Sequence, residues 1–86
     1  MKDIKDYEGL YAITEDGRIW SYRSNRFLKP YVRKGYLRVK LYINGVEKDF
    51  SIHRLVAFAY LPNPDNLPEV NHKDENKQNN CVDNLE

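Results

Sequence analysis

The sequence predicts an α+β fold, an antiparallel β-sheet followed by one helix and a polar tail of short elements. Three observations carry that prediction. Leu37, Val39, Leu41 and Ile43 alternate with Arg38, Lys40 and Tyr42, and Asn44-Gly45 follows at once. Alternation is the period of a strand with one buried face. Asn-Gly suits a type I′ turn, whose two central residues both need φ > 0. The apolar spacing then changes at Ile52, where Leu55, Phe58 and Ala59 recur at helical intervals up to Pro62. Beyond it, "VNHKDENKQNN", Val70 to Asn80, has no periodicity but sets one histidine among four asparagines, two acids and two lysines.

In chain order, "LYAIT" and "RIWSY" flank Asp16-Gly17 and read as a first hairpin. "SNRFLKP", Ser24 to Pro30, is a connector with room for a short extended piece. A two-residue loop at Asn44-Gly45 pairs Ile43 with Val46, Val39 with Phe50 and Leu37 with Ile52. One face of that hairpin is apolar apart from Lys48, and it places Phe50 in the core. The other face sets Lys40 against Asp49 and Tyr42 against Glu47. Ser51 is the expected N-cap of a helix from Ile52 to Leu61, buried along Ile52, Leu55, Phe58 and Ala59. Pro62 to Pro68 reads as a rigid polar loop, and "EVNH" as a short strand. The expected organisation is an N-terminal antiparallel β module with a basic stretch, residues 1–51. The helix and polar tail, residues 52–86, join it in one compact unit.

The chain has 86 residues, 41% hydrophobic and 31% charged, which fits one small globular domain and excludes a disordered chain. Its one cysteine, Cys81, allows no internal disulfide and no cysteine-cage zinc site. It is expected to be a small, half-buried loop residue in a reducing, cytoplasmic setting. The first ten residues hold no signal-peptide core, and no apolar run is long enough to span a bilayer, so no membrane role is expected.

The formal net charge of +1 hides an asymmetry. Met1 to Asp16 has net charge −3, and Glu47 to Glu86 has −4. Gly17 to Val46 holds eight basic residues and no acid, interleaved with Trp20, Tyr22, Tyr31, Tyr36 and Tyr42. Cations among aromatics suit a surface that meets a nucleic-acid backbone, so double-stranded DNA is the expected partner. Arg23, Arg26, Arg33 and Lys34 are the candidate contacts, because Arg38 and Lys40 lie on a hairpin face with acidic partners. His53, in the first helical turn, is expected to be packed rather than a ligand.

"DYEGLYAITEDGRIWSY" and "KGYLRVKLYINGVEKDFSIHRLVAFAYLPNP" resemble the small module that precedes the nuclease motif in phage and intron-encoded HNH homing endonucleases. "VNHKDENKQNNCVDNLE" resembles the first two-thirds of the HNH motif itself. The resemblance implies a ββα-metal motif, truncated here, in which His72 is the general base. It makes Asn71 the metal-side residue, where relatives often have aspartate, and Asn84 the structural asparagine that ties the loop. Magnesium or manganese is the implied cation. An imidazole near neutral pKa suits proton removal from water, and a hard cation takes an amide oxygen. Asn76, Asn79 and Asn80 are expected to replace missing ladder bonds within the loop.

Two departures from the family pattern modify these expectations. Glu75 stands where the family commonly has glycine; at φ > 0 it would cost about 1 kcal/mol. The motif's closing helix, which carries the last metal ligand, is not among the residues that match. The expectation is therefore a DNA-binding HNH relative with an impaired hydrolytic site, in the cytoplasm of a phage host. A second reading, from another class, is a non-catalytic phage module that binds a protein, such as an inhibitor of a host nuclease of the CRISPR effector type. A third is a fragment of an active enzyme.

Overall fold

A computed structural model describes residues 1–61 and 70–85. Two antiparallel sheets and one helix make the α+β fold that the sequence predicts. The first sheet has the order β1 (Lys2–Asp3), β2 (Tyr11–Ile13), β3 (Ile19–Ser21) and β4 (Arg26–Phe27). The hairpin at Asp16-Gly17 pairs Tyr11 with Ser21 and Ile13 with Ile19. The short extended piece expected after Ser24 is β4. Trp20 pairs with Phe27 across it, and the two rings meet edge to face at 4.9 Å.

The second sheet is β5 (Tyr31–Arg33), β6 (Tyr36–Ile43) and β7 (Val46–Ser51), with β6 in the centre. Ile43 pairs with Val46 and Val39 with Phe50, the register that Asn44-Gly45 sets. Leu37 does not pair with Ile52. It pairs with Val32 on β5, and Ile52 has already entered the helix. The sequence reading missed β5, whose link to β6 is a second turn of the same kind. Lys34 (φ +54°) and Gly35 (φ +85°) repeat the backbone of Asn44 (φ +51°) and Gly45 (φ +77°).

On the outer face of this sheet the ion pairs run diagonally rather than straight across. Arg38 Nε meets Asp49 at 2.9 Å and Lys40 Nζ meets Glu47 at 3.5 Å. Tyr31 hydroxyl also donates to Asp49. Diagonal neighbours lie within reach of long side chains on a twisted ribbon. On the inner face, Phe50 is only half-buried, its ring edge-on to Tyr7 at 5.8 Å.

Helix α1 (Ile52–Tyr60) follows β7 without a break. Its buried residues are Ile52, His53, Val56 and Ala57, whereas Phe58 is 68% exposed, which corrects the expected face. The helix is apolar around most of its girth, and His53 hid the arc that faces the core. Leu55, Phe58 and Ala59 instead line an apolar groove of about 690 Å³ with Ile4, Tyr7 and Phe50. Ser51 sits at the N-cap position but makes no capping bond; its hydroxyl accepts from Arg38 Nη1 at 2.7 Å.

The core joins both sheets to the helix through Ile13, Ile19, Leu41, Ile52, Val56 and Leu85. Tyr60 hydroxyl donates to the Ile13 carbonyl at 2.7 Å, tying the helix to the first sheet. The loop expected over 62–68 lies outside the described residues, as does the Pro62 helix stop. Among the described residues no helix is long and apolar enough to cross a membrane. Cys81 is exposed, not half-buried.

Candidate functional site

The polar tail folds as a loop closed by its own side chains. His72 and Leu85 form an antiparallel bridge at its base, and Lys73 N donates to the Asn84 carbonyl at 2.7 Å. Of the strand expected at "EVNH", Glu69 lies outside the described residues, and Val70 to His72 make only this single bridge. Between these ends Asp74 and Asn84 form the hub. Asn84 Oδ1 accepts from Asp74 N at 3.1 Å. Asn84 Nδ2 donates to Asp74 Oδ1 and to the Asn79 carbonyl, each at 2.9 Å. Asp74 also accepts from Asn76 N at 2.8 Å and from Asn79 Nδ2 at 2.9 Å. These donors, Asn79 foremost, hold its carboxyl below the ordinary carboxylate range. Short polar side chains here do what a strand ladder does elsewhere. Glu75 has φ +63°, so the strain expected at this position is present.

Two turns of the β module seat this loop. Val82 N donates to the Glu15 carbonyl at 2.8 Å, in the β2–β3 turn. Gly17 in that turn has φ +87°, and a Cβ there would lie 2.9 Å from Asn80 Cβ. In the β5–β6 turn, Gly35 packs under Lys77, whose ammonium lies 4.9 Å from the centre of the Tyr36 ring.

The two turns bring His72 against groups far away in sequence. Its ring is half-buried, 5.0 Å from His53 and 6.1 Å from Tyr36. His53 stacks on Tyr36 at 5.1 Å and is 7% exposed. Burial, then the positive charges of His72, Arg54 and Arg38, lower its pKa to about 4. His72 Nε2 lies 2.8 Å from Asn80 Oδ1, and Asn80 is 4% exposed. Asn80 was expected to bond within the loop; its amide turns to the histidine instead.

Beside the pair of histidines opens a polar pocket of about 430 Å³, lined by Tyr36, Arg38, Ser51, His53, Arg54 and Asn71. Arg38 is fixed there by Asp49 and Ser51, while Arg54 and Asn71 are exposed. Arg38 is paired with Asp49, so Arg54 gives the pocket its positive charge, and its size admits a phosphate group. His72 lines neither this pocket nor the larger apolar groove; it adjoins the pocket through His53 and Asn71.

The donors around His72 do not form a cation site of their own. Asn71 offers one neutral oxygen, and the oxygens of Asp74 are engaged by loop donors. Among the described residues, no three histidine, cysteine or acidic side chains cluster as metal ligands. Magnesium needs several oxygen ligands in near-octahedral order, which these residues do not supply.

Of the residues singled out from sequence, His72, Asn71 and Asn84 meet in one loop. Arg33 and Lys34 lie at the β5–β6 turn, next to Gly35 and Tyr36 and so near that loop. Arg23 and Arg26 are exposed on the first sheet. None of these four cations forms an ion pair among the described residues. Tyr36 and Arg54 were not singled out as site residues, and Asn80 was expected only to bond within the loop.

Residues 2–42 match the family described as the NUMOD4 motif. The chain is 56% identical over 77 residues to an HNH endonuclease of Acanthamoeba polyphaga mimivirus, covering 88% of this chain and 23% of that protein. It is 42% identical over 85 residues to DNA endonuclease I-HmuI of Bacillus phage SP01, covering 98% of this chain and 49% of the other. With the H-N-H endonuclease F-TflI of Escherichia phage T5 it shares 38% over 88 residues, covering 96% and 44%. A solved structure of DNA binding and cleavage by the HNH homing endonuclease I-HmuI superposes with a TM-score of 0.90 at 43% identity. That match covers 98% of this chain and 49% of the solved one. The chain spans about half the length, or less, of the relatives it matches. A NUMOD4 motif, a His72 loop seated on its turns, and this likeness along nearly all of the chain make it similar to HNH homing endonucleases over the part of their length that it spans.

Proposed function

We propose that this chain binds double-stranded DNA and holds His72 as the general base of a phosphodiester-hydrolysing site. The observation that carries the reading is the half-buried His72 ring, which follows Asn71 and packs on His53, two residues that line a pocket with Arg38 and Arg54. A phosphate in that pocket would sit near an imidazole suited to take a proton from water. Arg33 and Lys34 at the β5–β6 turn, and Arg23 and Arg26 on the first sheet, add exposed positive charge. Phage relatives support a cytoplasmic setting in an infected bacterium, where that DNA lies.

The family resemblance implies magnesium or manganese at the phosphate, with Asn71 toward it. Because Asn71 is one neutral donor, the described residues by themselves would bind the cation weakly. The base alone contributes about 10²–10⁴-fold, far short of what phosphodiester hydrolysis demands. Hydrolysis by this chain is therefore impaired, while DNA binding, which needs no metal, persists.

Fluorescence anisotropy with duplex DNA and nicking of supercoiled plasmid test the two halves together. Binding at low salt without metal is expected, with at most slow nicking that keeps rising with manganese and disappears in His72→Ala. Nicking that saturates at low metal would mean a formed cation site and overturn the impairment. Nicking that survives His72→Ala would remove His72 as the base. Absence of salt-sensitive binding would instead favour the protein-binding reading, which the groove beside exposed Phe58 supports.

A further inference from the structure

We propose that Asn80 is the positioning residue for His72. Its side-chain carbonyl accepts from Nε2–H and fixes the ring tautomer that leaves the basic lone pair on Nδ1. The inference rests on the reading of His72 as a base and deepens it.

A neutral imidazole carries one proton, and the nitrogen that holds it is set by what the other nitrogen meets. The Asn80 oxygen lies 2.8 Å from Nε2, and the residue is almost wholly buried, at 4% exposure. A buried carbonyl left without a donor is costly, so this oxygen selects a ring with hydrogen on Nε2. Three other asparagines of the loop are engaged elsewhere. Asn84 and Asn79 bond Asp74, and Asn76 Oδ1 accepts from Gln78 N at 3.1 Å. Asn80 is held from behind by the β2–β3 turn, through its close approach to Gly17. His72 is held by the Leu85 bridge and by the rings of His53 and Tyr36. The ring and its acceptor are thus each fixed before substrate arrives.

The arrangement suits the chemistry asked of the ring. When Nδ1 takes a proton from water, the oxygen–hydrogen bond breaks, a nitrogen–hydrogen bond forms at Nδ1, and hydroxide is left to attack. Nε2–H stays bonded to Asn80 throughout, so the imidazolium forms without rearrangement and with its charge turned toward a carbonyl dipole. The reversed amide would spend the Nε2 lone pair on Nδ2 and leave Nδ1 already protonated. Such a ring has no lone pair to offer.

The test is imidazole-nitrogen NMR on the ¹⁵N-labelled chain, without DNA or metal, at a pH where the ring is shown to be neutral. His72→Gln assigns the two histidines. In the wild type we expect hydrogen on Nε2, a lone pair on Nδ1 and an Nε2–H proton protected from solvent exchange. Asn80→Asp keeps an acceptor and should keep both features. Asn80→Leu removes it and should speed exchange of that proton at least about tenfold. Hydrogen on Nδ1 in the wild type, or equal exchange in the wild type and Asn80→Leu, overturns the proposal. Should Asn80→Leu not fold, the wild-type tautomer alone still decides. These spectra need no substrate, so their failure is distinct from failure of the base reading, which shows as nicking that survives His72→Ala.

Discussion

His53 is a residue whose two states the fold treats very differently. It stacks on Tyr36 in the neutral form, and a proton on it would face His72, Arg54 and Arg38 in a poorly solvated place. Its pKa, lowered to about 4, compares with about 6.5 in an unfolded chain. Above pH 6.5 both states are neutral and His53 adds no pH dependence. As pH falls from about 6.5 to about 4, the unfolded chain takes up the proton first and stability is lost. The loss over that window is about 2–3 kcal/mol, at 1.36 kcal/mol per pKa unit. Urea unfolding across this range should show a falling midpoint, and His53→Phe, which keeps a ring on Tyr36, should flatten it. An unchanged acid limb in His53→Phe would assign the loss to other groups.

At the scale of elements, the polar loop and the two type I′ hairpins differ in how far the sequence discloses them. Asn44-Gly45 is a local signal, because the turn geometry is written in the two residues that adopt it. Lys34-Gly35 takes the same geometry, but lysine does not favour φ > 0, and β5 went unseen with it. The helix was legible as a helix but not by face, since its buried arc includes His53 and its exposed arc includes Phe58. Asn84 as hub of the loop was visible through the family resemblance. Asn80 was not, because its partner depends on where the Gly17 turn sits in space. The loop itself offers a paired prediction of opposite signs. Asn84→Ala removes three side-chain hydrogen bonds, which at 0.5–1.5 kcal/mol each costs about 2–4 kcal/mol. Glu75→Gly relieves a left-handed backbone and should gain up to about 1 kcal/mol. Thermal unfolding measures both, and a gain smaller than about 0.3 kcal/mol would mean Glu75 makes compensating contacts.

Across the whole molecule, charge separates by surface rather than cancelling. Arg38 and Lys40 are neutralised by Asp49 and Glu47 on the outer face of the second sheet. Arg23, Arg26, Arg33 and Lys34 have no such partners among the described residues, so they are among the cations able to release counterions from a DNA backbone. Each phosphate neutralised on B-DNA contributes about −0.9 to the slope of log K against log salt. Replacing all four with glutamine should therefore make that slope shallower by about 3–4 and weaken binding most at low salt. Arg33 and Lys34, beside the His72 loop, and Arg23 and Arg26, on the first sheet, should each account for about half of the change. Lys40→Gln should change the slope by less than about 0.5, because Glu47 already holds its charge. Anisotropy titrations over a range of salt concentrations give every slope directly. If only Arg33 and Lys34 matter, the DNA runs over the β5–β6 turn alone and the first sheet faces away. If Lys40→Gln makes the slope shallower by about 0.9 and the quadruple variant leaves it unchanged, the outer face of the second sheet is the contact surface, and its ion pairs open to admit the backbone.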